Sequence, residues 1–222
     1  MSRRFVIPSI LLAATAMIAV IAPSGAAEPA AKTPTPAMVE QSAGHRETAI
    51  FAGGCFWGVQ GVFSHVKGVL TATSGYTGGN AGTAEYETVS TGRTGHAESV
   101  QVVFDPARVN YADLLQIYFS VVADPTQVNR QGPDSGTQYR SALFPLTPAQ
   151  NQVARAYIVQ LAAAHVYARP IVTRIEGNKQ FFPAEGHHQN FFALNPNHPY
   201  IVKFDRPKVA ALKQLFPANW QG

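Results

Sequence analysis

Apolar positions along the chain switch between two periods, and each switch marks an element. "ETAIFAG" (47–53) is a near-continuous apolar run of strand length and predicts a buried strand. Directly after it Phe56, Val59, Val62, Phe63 and Val66 recur at helical spacing. "VLTATSGYTGG" (69–79) predicts a strand running into a glycine-rich loop, and "ESVQVVFDP" (98–106) alternates as a strand closed by Pro106. Asn110 can cap a helix carrying Leu114, Leu115, Ile117, Tyr118 and Val121. "VADPTQVNRQGPDSGTQYRS" (122–141) has no periodicity and predicts a long loop, of the kind that is usually functional or disordered in a compact domain. "YRSALFP" predicts a strand. "TPAQ" (147–150) is a capping box with Pro148 at the first helical position, opening a helix to about His165. "PIVTRIE" (170–176) predicts another strand, and "PAEGHHQNFFAL" and "RPKVAALKQLF" predict shorter helices.

This order of elements predicts a two-layer α/β (α+β) sandwich, with a mixed sheet covered by helices. The strand–helix–strand pieces fit a ferredoxin-like core. Periodicity begins only near Glu47. Residues 28–46, within "PSGAAEPAAKTPTPAMVEQSAGHR" (23–46), are rich in Pro, Ala and small polar residues and read as a linker to a domain over 47–222. Residues 1–27 read as an export signal, with Arg3 and Arg4 as the basic region, an apolar run over 10–22, and small residues for cleavage after Ala26 or Ala27. The expected location is therefore exported, periplasmic or secreted. Counted back to Phe5 the apolar run approaches spanning length, so an N-terminal membrane anchor is the alternative. "SRRF" matches a twin-arginine signal only in part.

Composition changes this picture in two ways. The formal net charge is +4, two of those charges being Arg3 and Arg4. So weak and scattered a positive charge excludes a nucleic-acid binder by charge alone. There is one cysteine, Cys55. An unpaired thiol in an exported protein is either a buried structural residue or a reactive one.

The neighbours of Cys55 favour reactivity. It falls at a strand-to-helix turn in the first turn of the helix, where free N–H groups and the dipole favour a thiolate. Gly53 and Gly54 clear the approach, and Phe56 and Trp57 can wall an apolar pocket beside the sulfur. Glu98 stands at the start of a strand between His96 and an apolar run; in an apolar wall its pKa would rise and it could serve as a general acid. Asp134 and Tyr139 lie on a glycine-rich turn and Tyr86 lies in "AEYETV". Read singly, these are a turn former and two packing tyrosines. A Cys–His hydrolase would need an imidazole beside the thiol. No histidine stands in a local pattern with "GCFWG", and "HH" (187–188) lacks the companions of a metal site.

Taken together, "GCFWG" (54–58), "GYTGG" (75–79), "STGRTGHAE" (90–98), "FDP" (104–106), "DPTQVNRQGPDSGTQYRSA" (124–142) and "AEGHHQNF" (184–191) resemble peptide methionine sulfoxide reductase A in order and spacing. The resemblance covers about 48–216. It implies that Cys55 is the nucleophile on the sulfoxide sulfur, that Phe56 and Trp57 hold the substrate methyl, and that Glu98 protonates the sulfoxide oxygen. It implies further that Tyr86 and Tyr139 donate hydrogen bonds to that oxygen and that Asp134 helps bind substrate. The implied substrates are oxidised proteins and free methionine sulfoxide, with no cofactor and no metal. Many relatives carry resolving cysteines; this chain has none, so the sulfenic acid on Cys55 needs an outside reductant, a thioredoxin-like protein, glutaredoxin or a small thiol. A monomer is expected. The rival readings are a Cys–His acyl-transfer enzyme and a non-catalytic module that binds methionyl segments.

Overall fold

A computed structural model of the chain describes residues 30–41, 44–177 and 179–222. The export signal expected over 1–27 lies outside them. Among the described residues no helix is long and apolar enough to cross a membrane.

The described residues form eight strands: β1 (Glu47–Gly53), β2 (Val69–Thr77), β3 (Ala97–Phe104), β4 (Arg130–Gln131), β5 (Asp134–Ser135), β6 (Ser141–Phe144), β7 (Arg174–Ile175) and β8 (Phe181–Pro183). Six form one sheet in the order β7-β6-β1-β3-β2-β8, antiparallel except for β6 with β7. The α-helices are α1 (Phe56–Ser64), α2 (Tyr86–Val89), α3 (Tyr111–Ile117), α4 (Pro148–Ala163), α5 (Phe191–Leu194) and α6 (Arg206–Leu215). The central run β6-β1-β3-β2 with α1 and α3 as crossovers is the expected ferredoxin-like core.

β1 lies at the centre of the sheet and is buried on both faces, which explains its unbroken apolar run. Ala49 and Phe51 join the large core under the helices, while Ile50 and Ala52 join a smaller cluster with Ala97, Ala142 and Phe144 behind the sheet. The same alternation decides where Glu98 goes. It shares a face of β3 with Val100, Val102 and Phe104, which belong to the helix-side core.

Helix α1 is held from both sides. Its Phe56, Val59, Val62 and Phe63 are buried in the main core. The close approach of the C-terminal segment over α1 depends on Gly61 and Gly58. A Cβ on Gly61 would stand 2.9 Å from Phe192 Cγ, and one on Gly58 would meet the Asp205 carboxyl. Tyr118 anchors the end of β1, its hydroxyl donating to the Ala52 carbonyl at 2.7 Å. It begins a π-helical turn, Tyr118–Val122, that continues α3.

Capping follows the sequence at α3, where Asn110 and Asp113 form the full reciprocal box. At α4 it is half met. Thr147 Oγ1 accepts from Gln150 N at 3.1 Å, but Gln150 Oε1 accepts from Leu146 N instead of closing on Thr147. Three differences have tertiary causes. The strand expected over 170–176 pairs only at Arg174–Ile175, because β6 offers it an edge for two residues. β8 was not foreseen, and it forms by pairing with Gly75–Thr77 of β2. The long loop holds the β4–β5 hairpin and a 3₁₀ turn, Thr137–Tyr139.

Residues 30–41 form no helix or strand but are anchored on the domain. Thr33 is buried, its N–H donating to Ser120 Oγ at 3.0 Å and its carbonyl accepting from Gln116 Nε2 at 2.7 Å. Its hydroxyl lies 2.8 Å from both Ser120 Oγ and Tyr157 OH.

Candidate active site

The turn from β1 into α1 presents the thiol. Gly54 has φ +92°, in the left-handed region, and a Cβ there would lie 2.6 Å from Gln131 Cβ, so only glycine fits. Cys55 follows as the N-cap of α1, half-buried. Its thiol is not lowered by the helix terminus as the sequence suggested. Burial pushes it well above its ordinary value, with the Glu98 and Asp205 carboxyls adding to the rise and the Trp57 N–H opposing it. One turn of helix dipole is outweighed by desolvation and nearby acids.

Glu98 is 2% exposed, and its Oε2 accepts from Phe56 N at 3.0 Å, in the first turn of the nucleophile's own helix. Burial pushes its carboxyl up to about 8, against the Phe56 N–H and with Asp134 adding to the rise. At neutral pH Glu98 therefore carries a proton. Of the two tyrosines expected near it, Tyr86 opens α2, where its backbone N–H donates to Glu185 Oε1 at 2.9 Å, and Tyr139 ends the 3₁₀ turn. Both phenols are raised, by burial first and by Glu98 next, with Cys55 contributing to each. Neither hydroxyl is hydrogen-bonded to another described residue.

Trp57 stacks on Phe191 at 3.8 Å between centroids, and its Nε1 donates to His188 Nδ1 at 3.2 Å. Phe56 is 1% exposed and packs against Tyr76 and His188, so it backs the site from within the core. Asp134, on β5, accepts from the Tyr200 hydroxyl; burial raises its carboxyl, and that bond and Lys208 lower it. All seven residues singled out in the sequence thus gather around one helix terminus. Among the described residues no cluster of three or more His, Cys, Asp or Glu is arranged to hold a metal.

Sequence reasoning missed Tyr200, Asp205 and Glu185. Tyr200 packs edge-on to Trp57 at 6.0 Å, and burial pushes its phenol up, with Cys55 and Asp134 adding to the rise. Asp205 is 1% exposed. Glu185 receives both the Tyr86 N–H and, at 2.7 Å, the Tyr76 hydroxyl. The first two lie far down the chain with no local pattern linking them to "GCFWG". Glu185 stood inside "AEGHHQNF", which marks it only as part of the resemblance.

The helix terminus thus gathers a thiol, a buried carboxyl raised to about 8 and an aromatic wall, groups suited to redox chemistry at sulfur. The family model described as peptide methionine sulfoxide reductase matches residues 47–219. A relative from Mesorhizobium japonicum, peptide methionine sulfoxide reductase MsrA 2, is 64% identical over 181 residues, covering 82% of this chain and 93% of that one. One of the same name from Synechocystis is 50% identical over 178 residues, covering 80% and 83%. Among solved structures, methionine sulfoxide reductase A of Corynebacterium diphtheriae is 32% identical with a TM-score of 0.58, covering 80% of this chain and 89% of that one. Reduced Mxr1 from Saccharomyces cerevisiae is 27% identical with a TM-score of 0.61, covering 73% and 92%. The chain belongs to the peptide methionine sulfoxide reductase family, and it is an oxidoreductase that reduces methionine sulfoxide.

Proposed function

We propose that Cys55 reduces the S epimer of methionine sulfoxide, free or in proteins, by direct attack of its sulfur on the sulfoxide sulfur. Glu98 hydrogen-bonds and protonates the oxygen, Tyr86 and Tyr139 donate to the same atom, and Trp57, backed by Phe56, holds the methyl group. Asp134, tied to Tyr200, orients the substrate. The sulfoxide is reduced by two electrons and leaves as methionine, while Cys55 is oxidised to the sulfenic acid and its thiol proton replaces the one given by Glu98. Cys55 is the only cysteine in the chain. Two equivalents of an outside thiol then restore it, releasing water and a disulfide; a thioredoxin-like protein, glutaredoxin or a small thiol fits this step. The enzyme acts as a monomer and is exported by residues 1–27, or anchored by them.

One observation carries the reading: a carboxyl pushed up to about 8 is bonded to the first turn of the helix that bears the thiol. A sulfoxide oxygen leaves poorly until protonated, and an acid at this place supplies the proton. The test is a single turnover with a methionine-S-sulfoxide peptide and no reductant. One methionine per chain and a sulfenic acid trapped on Cys55 are expected. Loss of substrate with an acylated Cys55, or no methionine at all, would overturn it.

A further inference from the structure

The proposed reaction leaves one buried acid near the thiol unused. Asp205 closes the π-helical turn Ile201–Asp205 that leads into α6 and is 1% exposed. Neither of its carboxylate oxygens has a hydrogen-bond partner among the described residues. A Cβ on Gly58 would run into its Oδ1 before any other atom, so the carboxyl lies directly against the first turn of α1. A buried, unpartnered carboxylate costs stability, and packing alone would be better served by an apolar side chain. The titratable and charged groups that act with it are Cys55 on α1, Asp134 on β5, Tyr200 on the preceding turn and Lys208 on α6.

We propose that Asp205 is a positioning residue for Cys55: lodged against the first turn of α1, its carboxyl decides by its own charge how readily the neighbouring thiol ionises. Neutral, it adds nothing to the cost of a thiolate. Ionised, it places a second negative charge behind the sulfur and holds the thiol protonated. Burial pushes Asp205 up to about 7, with Lys208 opposing and Asp134 adding, so both states are populated near neutral pH. Glu98, raised to about 8, gives up its proton later than Asp205. The resting thiol is thereby restrained from ionising, and so from adventitious oxidation, as pH rises past neutrality. The role rests on Cys55 being the nucleophile of the proposed reaction.

The test reads Cys55 without substrate or turnover. Iodoacetamide alkylation of the full chain is followed from about pH 5 to 9, a range that spans carboxyl and thiol titration. In the wild type the logarithm of the rate is expected to climb with pH, flatten through about 7 as Asp205 ionises, and climb again along a lower line. A second flattening near 8, from Glu98, belongs to both proteins. In Asp205→Asn the first flattening is expected to vanish, and alkylation above it to run about three- to tenfold faster. Superimposable profiles, or a variant slower throughout, would overturn the proposal. If the variant does not fold, the wild type decides, because a profile without the flattening near 7 overturns it equally. A chain that fails to reduce methionine sulfoxide yet shows the Asp205 effect would sink the proposed function alone. Intact reduction with superimposable profiles would sink only the Asp205 role.

Discussion

Two polar clusters in this molecule are built on opposite plans. Around Thr33 the backbone N–H, carbonyl and hydroxyl are all paired, with Ser120, Gln116 and Tyr157, and the Tyr157 hydroxyl also donates to the Pro34 carbonyl at 2.7 Å. Around Cys55 the pairing is left incomplete. Glu98 holds one backbone N–H, the half-buried Tyr86 and Tyr139 hydroxyls bond to no described residue, and neither buried oxygen of Asp205 has a partner among the described residues. Satisfied polar groups hold a segment in place, and buried groups without partners are a cost that a packed domain otherwise avoids. In the proposed reaction those open donors would meet the sulfoxide oxygen as an acceptor from outside. The contrast sets a cluster that holds a segment in place against the one proposed to react.

The comparison is broken most sharply at Cys55. Cys55→Ser is expected to abolish methionine release while leaving the thermal unfolding midpoint nearly unchanged. Residual turnover in a single-turnover assay would show that the reacting group lies elsewhere.

The next largest effect is at the acid. Glu98→Gln should slow methionine release by about 10²- to 10⁴-fold at neutral pH, the usual worth of a general acid. In the wild type the same step should fall as pH rises through about 8, where Glu98 loses its proton, and the variant should lack that fall. Stability follows the same sign. The Glu98 pKa is raised on folding from 4.5 to about 8, so its contribution is complete below the lower value and is lost as pH climbs through the upper one. Unfolding measured against pH should therefore be flatter in the variant over that window.

Smaller still is the effect of each phenol. Tyr86→Phe and Tyr139→Phe should each cost about tenfold in the reduction step, the scale of one hydrogen bond to a developing charge. Because neither hydroxyl bonds to another described residue, stability should barely move. A large drop in unfolding midpoint would mean that the hydroxyls are structural, like those around Thr33.

The smallest catalytic effect is expected where the stability effect is clear. Thr33→Val removes a hydroxyl from the paired cluster and should cost about 1–3 kcal/mol, or a fall of a few degrees in midpoint. Single-turnover methionine release should be unchanged. A matching loss of rate would show that the 30–41 segment acts on the site.

Much of this was legible in local pattern. The apolar run of 47–53, the helical spacing after Phe56 and the alternation of 98–106 correspond to β1, α1 and β3, the three elements that bring Cys55 and Glu98 together. β8, the two-residue extent of β7 and the β4–β5 hairpin were not legible, because short strands owe their pairing to the edge they meet and carry little periodicity. Tyr200 and Asp205 were invisible for a similar reason. They reach the site only because Gly58 and Gly61 let the C-terminal segment lie close on α1.

The sequence by itself determined the order of the core elements β1, α1, β2, β3, α3 and β6, the strand-to-helix turn that presents a lone thiol, and the family to which the chain belongs. The tertiary structure alone decided the charge state of that thiol. A helix terminus read in isolation argues for a thiolate, yet burial first, and the neighbouring carboxyls as they ionise, push the Cys55 thiol well above its ordinary value. The physical reason is that dipoles and caps are set by neighbours along the chain, whereas desolvation and Coulomb interactions depend on distances that exist only once distant segments have packed together.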